Sequence, residues 1–422
     1  MAKLDVGGFD VTGASQPVEH WGHGEAPNRH RSGVALRAAF AYAVLALALG
    51  RALDKYSTEI PEGGSPWSAG EWLVNYGGGF VRRGLFGEIF LAVAPGGLAG
   101  LWVLFAVQMA LTALIVIYAL QVLHRTRYSW STIALVCGPA SLPFMGWGDS
   151  GFHKEALPLV VLAILAWARQ PRRRQWSVVT LLLLSVPLWV LAVFSWEASV
   201  LLLPAVAYLL LALGAPHPEL HVFRRSVAAI LAVVGALGAG VSALAHGDTT
   251  TAATICDTVR SYGFVGVDLC GAVQVSGGGI EAIGWTPEKA AMDLAVAFPV
   301  YAGFAVAIVL ALLPVVLSRW FRQNWGWAVL VALGVLPLFF IVTDYGRWTH
   351  VLVIALMFCM TANDPWQATS RSWTGFGTFL YVTMWGLPHW VDPATSVWPF
   401  LGLGATLTDY SIELVGVLGG KT

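Results

Sequence analysis

The sequence predicts an all-α protein that crosses a lipid bilayer many times, and three observations carry that prediction. Hydrophobic residues fill 57% of its 422 positions and charged residues only 11%, with a mean hydropathy of +0.69. Apolar runs of membrane length recur, separated by short polar clusters, as a hydrocarbon layer of ~30 Å requires. The 20 tryptophans fit the aromatic belts that sit at both membrane surfaces. A soluble fold of this composition would lack the polar surface to cover its own core.

Taken in order, residues 1–34 are polar, rich in Gly, His and Pro, and lack the apolar core of a signal peptide, so they read as a flexible cytoplasmic tail. The remainder, 35–422, reads as one transmembrane helical domain with about 11–12 spans. The first span covers 34–53, and Pro61, Gly63, Gly64 and Pro66 break the polar segment after it. The run 85–94 is too short to span and reads as a re-entrant or interfacial helix. Spans then follow over 98–123, 130–147, 156–168, 178–194 and 198–213, the last two parted only by Ser195, Trp196 and Glu197. Further spans precede His246, Arg319, Val342 and the segment 362–372, with another over 373–390. The final apolar stretch, 401–418, carries Asp409 and Glu413 and reads as interfacial.

Basic clusters alternate along the chain. Placing the N-terminus in the cytoplasm puts Arg125 and Arg127, Arg169 to Arg174, Arg224 and Arg225, and Arg319 and Arg322 on the inner side, as the positive-inside rule requires. The longest outer loop is then 247–289, where Cys256 and Cys270 can form a disulfide in an oxidising compartment. Cys137 and Cys359 fall in apolar runs and read as buried thiols. A formal net charge of zero gives no basic footprint for nucleic acid.

Four polar constellations fall on the outer side. Residues 75–88 combine glycines with Arg82, Arg83 and Glu88. Glycine lets backbone amides approach a ligand, and paired guanidiniums match phosphate oxygens; anchoring to lipid headgroups is the structural alternative. The run has no Lys-Ser or Lys-Thr closure and is not a nucleotide P-loop. Asp149, His153, Lys154 and Glu155 cluster where a helix is expected to begin near Gly151, a place suited to an anion, or to local ion pairs in a polar loop. His153 and Glu155 lack the i, i+4 spacing of a helical zinc pair, and no metal or other cofactor is expected. Glu197, in its three-residue break, is expected to be desolvated and to have a raised pKa suited to acid–base work, unless it is a hydrated cap. Asp344, Arg347 and His350 form the fourth cluster, with Asp344 and Arg347 spaced to pair on one helical face.

These motifs, Gly79-Phe80-Val81-Arg82-Arg83-Gly84-Leu85, Lys154-Glu155, Glu197 in a tight outer turn and Asp344-Tyr345-Gly346-Arg347-Trp348, resemble those of bacterial surface-polysaccharide polymerases of the Wzy type and of membrane glycosyltransferases that use polyprenyl-linked donors. The chain departs from the Wzy pattern in having one long outer loop instead of two. The resemblance implies a multi-pass protein of the bacterial inner membrane that elongates O-antigen or exopolysaccharide at the extracytoplasmic face. Its partners would be the bilayer, a polyprenyl-diphosphate-linked oligosaccharide and other polysaccharide-assembly proteins. Arg82, Arg83 and Arg347 would hold the diphosphate, and Glu197, or else Asp344, would take the acceptor proton. A secondary transporter or flippase, or a non-catalytic assembly subunit, are the readings from other classes. A transporter would carry matching repeats in its two halves, and residues 35–213 and 226–418 show none.

Overall fold

The computed structural model describes residues 27–65, 67–146, 151–171, 173–212, 217–245, 247–264, 287–341, 344–370, 372–389 and 402–403. Every regular element among them is helical. In chain order the helices are α1 (Pro27–Glu59), α2 (Leu85–Val93), α3 (Gly97–Arg125), α4 (Trp130–Cys137), α5 (Ala156–Ala168), α6 (Gln175–Ser195) and α7 (Leu203–Leu211). They continue as α8 (His221–Leu244), α9 (Thr249–Ser261), α10 (Pro287–Val316), α11 (Arg319–Val335), α12 (Leu338–Ile341), α13 (Tyr345–Thr361) and α14 (Gly375–Thr383).

The expected spans resolve into two kinds. Ser32–Glu59, Gly97–Arg125, Gln175–Ser195, Pro218–Leu244 and Arg319–Phe340 are long and apolar enough to cross a bilayer alone. Even the shortest of these, α6 with 21 residues, rises ~32 Å. Of the others, α10 is a continuous helix of 30 residues, and the rest are short or interrupted. The run 130–147 breaks after α4 because Gly138 is extended at φ −64°, ψ 152°, as the residue before a proline prefers, and Pro139 then has no N–H to donate. The run 198–213 begins as a 3-10 turn, Glu197–Leu202, before Pro204 opens α7. α2 has nine residues and does not span.

Burial explains this division. All of α5 is buried, and so is α13 from Gly346 to Thr361. α5 touches α3, α6, α7 and α13, and α13 also touches α7, α10 and α11. These two are therefore the axis of the bundle, apolar on every side because protein surrounds them. The longer helices face outward with large apolar side chains, among them Leu47 and Leu53 on α1, Leu114 and Ile117 on α3, Leu183 and Leu184 on α6, Val233 and Leu237 on α8, and Leu330 and Leu333 on α11. Exposed apolar area spread over five helices far exceeds what a soluble monomer tolerates, and lipid is the solvent that covers it.

The expected sites Asp149 and Cys270, and the segment 404–418 with Asp409 and Glu413, lie outside the described residues. Cys256 is buried on α9 and disulfide-bonded. Cys137 and Cys359 are buried free thiols.

Candidate active site

One end of the bundle concentrates charge in two connected clusters. The deeper one centres on Arg347, in the first turn of α13. Its Nε donates to Glu155 Oε1 at 2.9 Å and its Nη2 to Glu155 Oε2 at 2.6 Å, a two-pronged pairing. Nη2 also reaches Glu71 Oε1 at 3.4 Å, and Nη1 lies 3.7 Å from Asp344 Oδ2. Glu71 in turn holds His153 Nδ1 at 2.8 Å through its other oxygen. The Asp344–Arg347 pair expected from their spacing is present, and His389 Nε2 stands 3.9 Å from Asp344 Oδ2.

The shallower cluster joins residues 114 positions apart in sequence. Arg83 Nε lies 2.7 Å from Glu197 Oε2, and Arg83 Nη2 donates to Glu197 Oε1 at 2.8 Å. Arg82 Nη1 lies 3.6 Å from the same carboxylate. Lys154 ties the two clusters together: it sits between His153 and Glu155 in sequence, and its Nζ donates to the Arg83 carbonyl at 2.8 Å.

The local backbone is built to hold this junction. Arg83 and Phe152 both adopt left-handed φ, 72° and 66°, at a cost of about 1–3 kcal/mol each for a residue with a Cβ. Both carbonyls are held from the side: Lys154 bonds Arg83 O, and Trp72 Nε1 donates to Phe152 O at 2.6 Å. Phe86 N, at the start of α2, donates to Ser195 Oγ at 3.0 Å, which fixes the arginine loop against the end of α6.

Exposure separates the two layers. The side chains of Arg82, Arg83, Glu197 and Asp344 are 20–24% exposed, whereas Glu71, His153, Glu155 and Arg347 are at 7% or less. Lys154 is fully buried. The accessible rim can therefore meet a ligand, and the layer beneath holds the rim in place.

Burial and charge set the proton affinities of the groups outside the helices. Burial opposes ionisation of Glu71, but Arg347, His153 and Lys154 outweigh it and hold the carboxyl far below the usual range. Burial likewise opposes the charge on Glu197, yet Arg83 and Arg82 pull its pKa down to about 2. That reverses the expectation of a raised value: Glu197 is an anchored anion and a poor base near neutrality. At Asp344 burial wins over Arg347 and His153, and the pKa is raised. Burial pushes Lys154 down to about 7, against the pull of Glu71.

Other expectations need correction. Two of the glycines of 75–88 serve packing. A Cβ on Gly77 would strike Thr258 Oγ1, and one on Gly78 would lie 2.6 Å from Thr251 O, so these glycines exist to let α9 approach. Glu88 accepts from Tyr76 N at 3.0 Å and pins the loop rather than an arginine. The helix expected near Gly151 begins at Ala156, because the left-handed turn at Phe152 delays it; His153, Lys154 and Glu155 precede it and can point in different directions. His350 is spent on packing, with its ring 4.8 Å from that of Phe144 and its Nδ1 against Ala140 O at 3.1 Å.

Glu71 is the residue that sequence reasoning missed. Its signal was present: an acid directly before Trp72, Leu73 and Val74 in a run too short to span. Comparisons with known protein families, with curated proteins and with solved structures find no match to this chain.

Proposed function

We propose that the protein is a membrane glycosyltransferase, acting on polyprenyl-diphosphate-linked sugars at the extracytoplasmic face of a bacterial inner membrane with its N-terminus in the cytoplasm. The observation that carries this reading is the accessible rim. It sets two adjacent arginines, one of them locked to Glu197, in the cluster that Lys154 joins to the one holding a partly exposed aspartate of raised pKa. Arg82 and Arg83 supply positive charge for a diphosphate, and guanidinium is the side chain best matched to its oxygens. Asp344 takes the role of base that Glu197 cannot fill. The acceptor hydroxyl oxygen bonds to the anomeric carbon, its proton passes to Asp344, and the carbon–oxygen bond to the diphosphate breaks with its electron pair leaving on the phosphate. Because that leaving group is already an anion, cations at the rim matter more than a proton donor.

The test is donor binding. Native mass spectrometry of the protein with a synthetic polyprenyl diphosphate should show a complex that Arg82→Ala weakens by about tenfold or more. Equal binding by the variant removes the arginines from the donor site.

A secondary transporter is favoured by a different observation, the fully buried Lys154 with a pKa of about 7, since buried ionisable groups mark proton paths in membranes. Substrate-driven proton uptake into liposomes holding the protein, abolished by Lys154→Met, would establish that reading instead.

A further inference from the structure

The opposite end of the bundle holds a polar cavity of about 280 Å³. α13 links the two ends: Arg347 is in its first turn and Met360 in its last, ~20 Å apart along the helix axis. The cavity lies between α7, the start of α11 and the turn after α13, and its polar lining comes from Gln323, Asn324, Asn363, Asp364 and Gln367. α11 is non-helical at Asn324, with φ −129° and ψ 25°, a local break at the wall of the cavity.

The chemistry of this lining selects among ligands. It contains one carboxylate and no lysine or arginine, which disfavours an anion. Arg169, beneath it, directs its guanidinium into the protein, to Asn363 Oδ1 at 2.5 Å and to the carbonyls of Tyr208, Leu209 and Ala212 at 2.8–3.0 Å. A quaternary ammonium needs several open ring faces. Here Trp320 and Tyr208 are buried, packed edge to face and joined by a 2.6 Å hydrogen bond, which leaves Trp327, half-buried with its ring 5.5 Å from that of Tyr208. What remains is a set of amides with donors and acceptors in alternation. Asn363 Oδ1 is held by Arg169, which turns its NH2 group outward, and Asn324 Nδ2 donates to Trp320 O at 3.1 Å, which turns its oxygen outward. Gln367 Oε1 is shielded from solvent and accepts no hydrogen bond from the described residues. Such an atom carries an uncompensated desolvation cost that a donor removes.

We infer that this cavity is a binding site for a neutral, hydroxyl-rich group, a sugar or polyol, whose hydroxyls meet the amides, with Gln367 turning its shielded Oε1 toward them, while its C–H face rests on Trp327. The site lies on the far face from the charged rim and does not depend on the transferase reading. A free sugar and the headgroup of a glycolipid in the adjacent leaflet share this chemistry.

The experiment uses the full-length protein in lipid nanodiscs. Methyl α-glucoside is titrated by saturation-transfer NMR, and retention of monoglucosyl diacylglycerol is read by native mass spectrometry. At least one probe should bind, the first marking a soluble sugar and the second a lipid headgroup, and Gln367→Leu and Trp327→Ala should each weaken binding by about fivefold or more. Because Gln367 Oε1 has no partner to lose, Gln367→Leu should keep or raise the unfolding temperature, so its loss of binding is not misfolding. Wild-type binding in both variants, binding of choline in place of both probes, or no binding of either up to ~50 mM would overturn the inference.

Discussion

At the scale of single residues, the charged end works because almost every ion has a partner that removes most of the cost of burying it. Glu155 is the clearest case, since it supplies both oxygens to Arg347. Replacing it by Gln or Ala leaves a buried guanidinium under-compensated, and unfolding measured in detergent should show a loss of about 3–5 kcal/mol. Lys154 gives a pH signature. Its pKa is about 7 in the folded chain against roughly 10.4 when unfolded, so between these values the unfolded chain binds more protons and stability rises with pH. The wild-type unfolding temperature should therefore climb relative to Lys154→Met from pH 7 to pH 10; parallel curves would contradict the burial of its charge. Glu197 acts at the other extreme. With its pKa lowered to about 2, its contribution is complete above the ordinary carboxylate pKa and is lost as pH falls from there through the folded value. Arg82, Arg83 and Glu197 stood out in the sequence because charge is scarce there. The pairing of Arg347 with Glu155 and Glu71 did not, since they lie 192 and 276 positions away and only tertiary structure brings them in.

At the scale of elements, apolar runs disclosed where helices lie but not how each ends. Pro139 and Pro204 were visible in the sequence, yet whether a proline bends or breaks a span depends on what surrounds it, and around α4 and α7 protein does. The glycine run is a second case. Its composition is equally suited to a phosphate loop and to close packing, and at Gly77 and Gly78 the packing partner is α9. Gly78→Val should push α9 away at a cost of about 1–3 kcal/mol. Arg260, exposed on α9, then reports the change: trypsin should cut there faster in the variant, and an unchanged rate would show that α9 does not rest on this loop.

At the scale of the whole molecule, the protein inverts the arrangement of a soluble one, with apolar side chains outside and ion pairs within. The class was legible because it follows from composition, whereas the choice of α5 and α13 as central helices was not, as their runs look like any other span in sequence. The proposed orientation separates Arg260 from Arg174 across the bilayer. Arg260→Cys and Arg174→Cys should react with a membrane-impermeant maleimide from opposite sides of intact cells and inverted vesicles. Labelling of both from one side would contradict that orientation.

The most direct test of the proposed chemistry is sugar transfer by the purified protein in liposomes, given a polyprenyl-diphosphate-linked oligosaccharide and its acceptor. Asp344→Asn should cut the rate by ~10²–10⁴-fold while donor binding is retained. Elongation by Asp344→Asn at the wild-type rate would contradict the account.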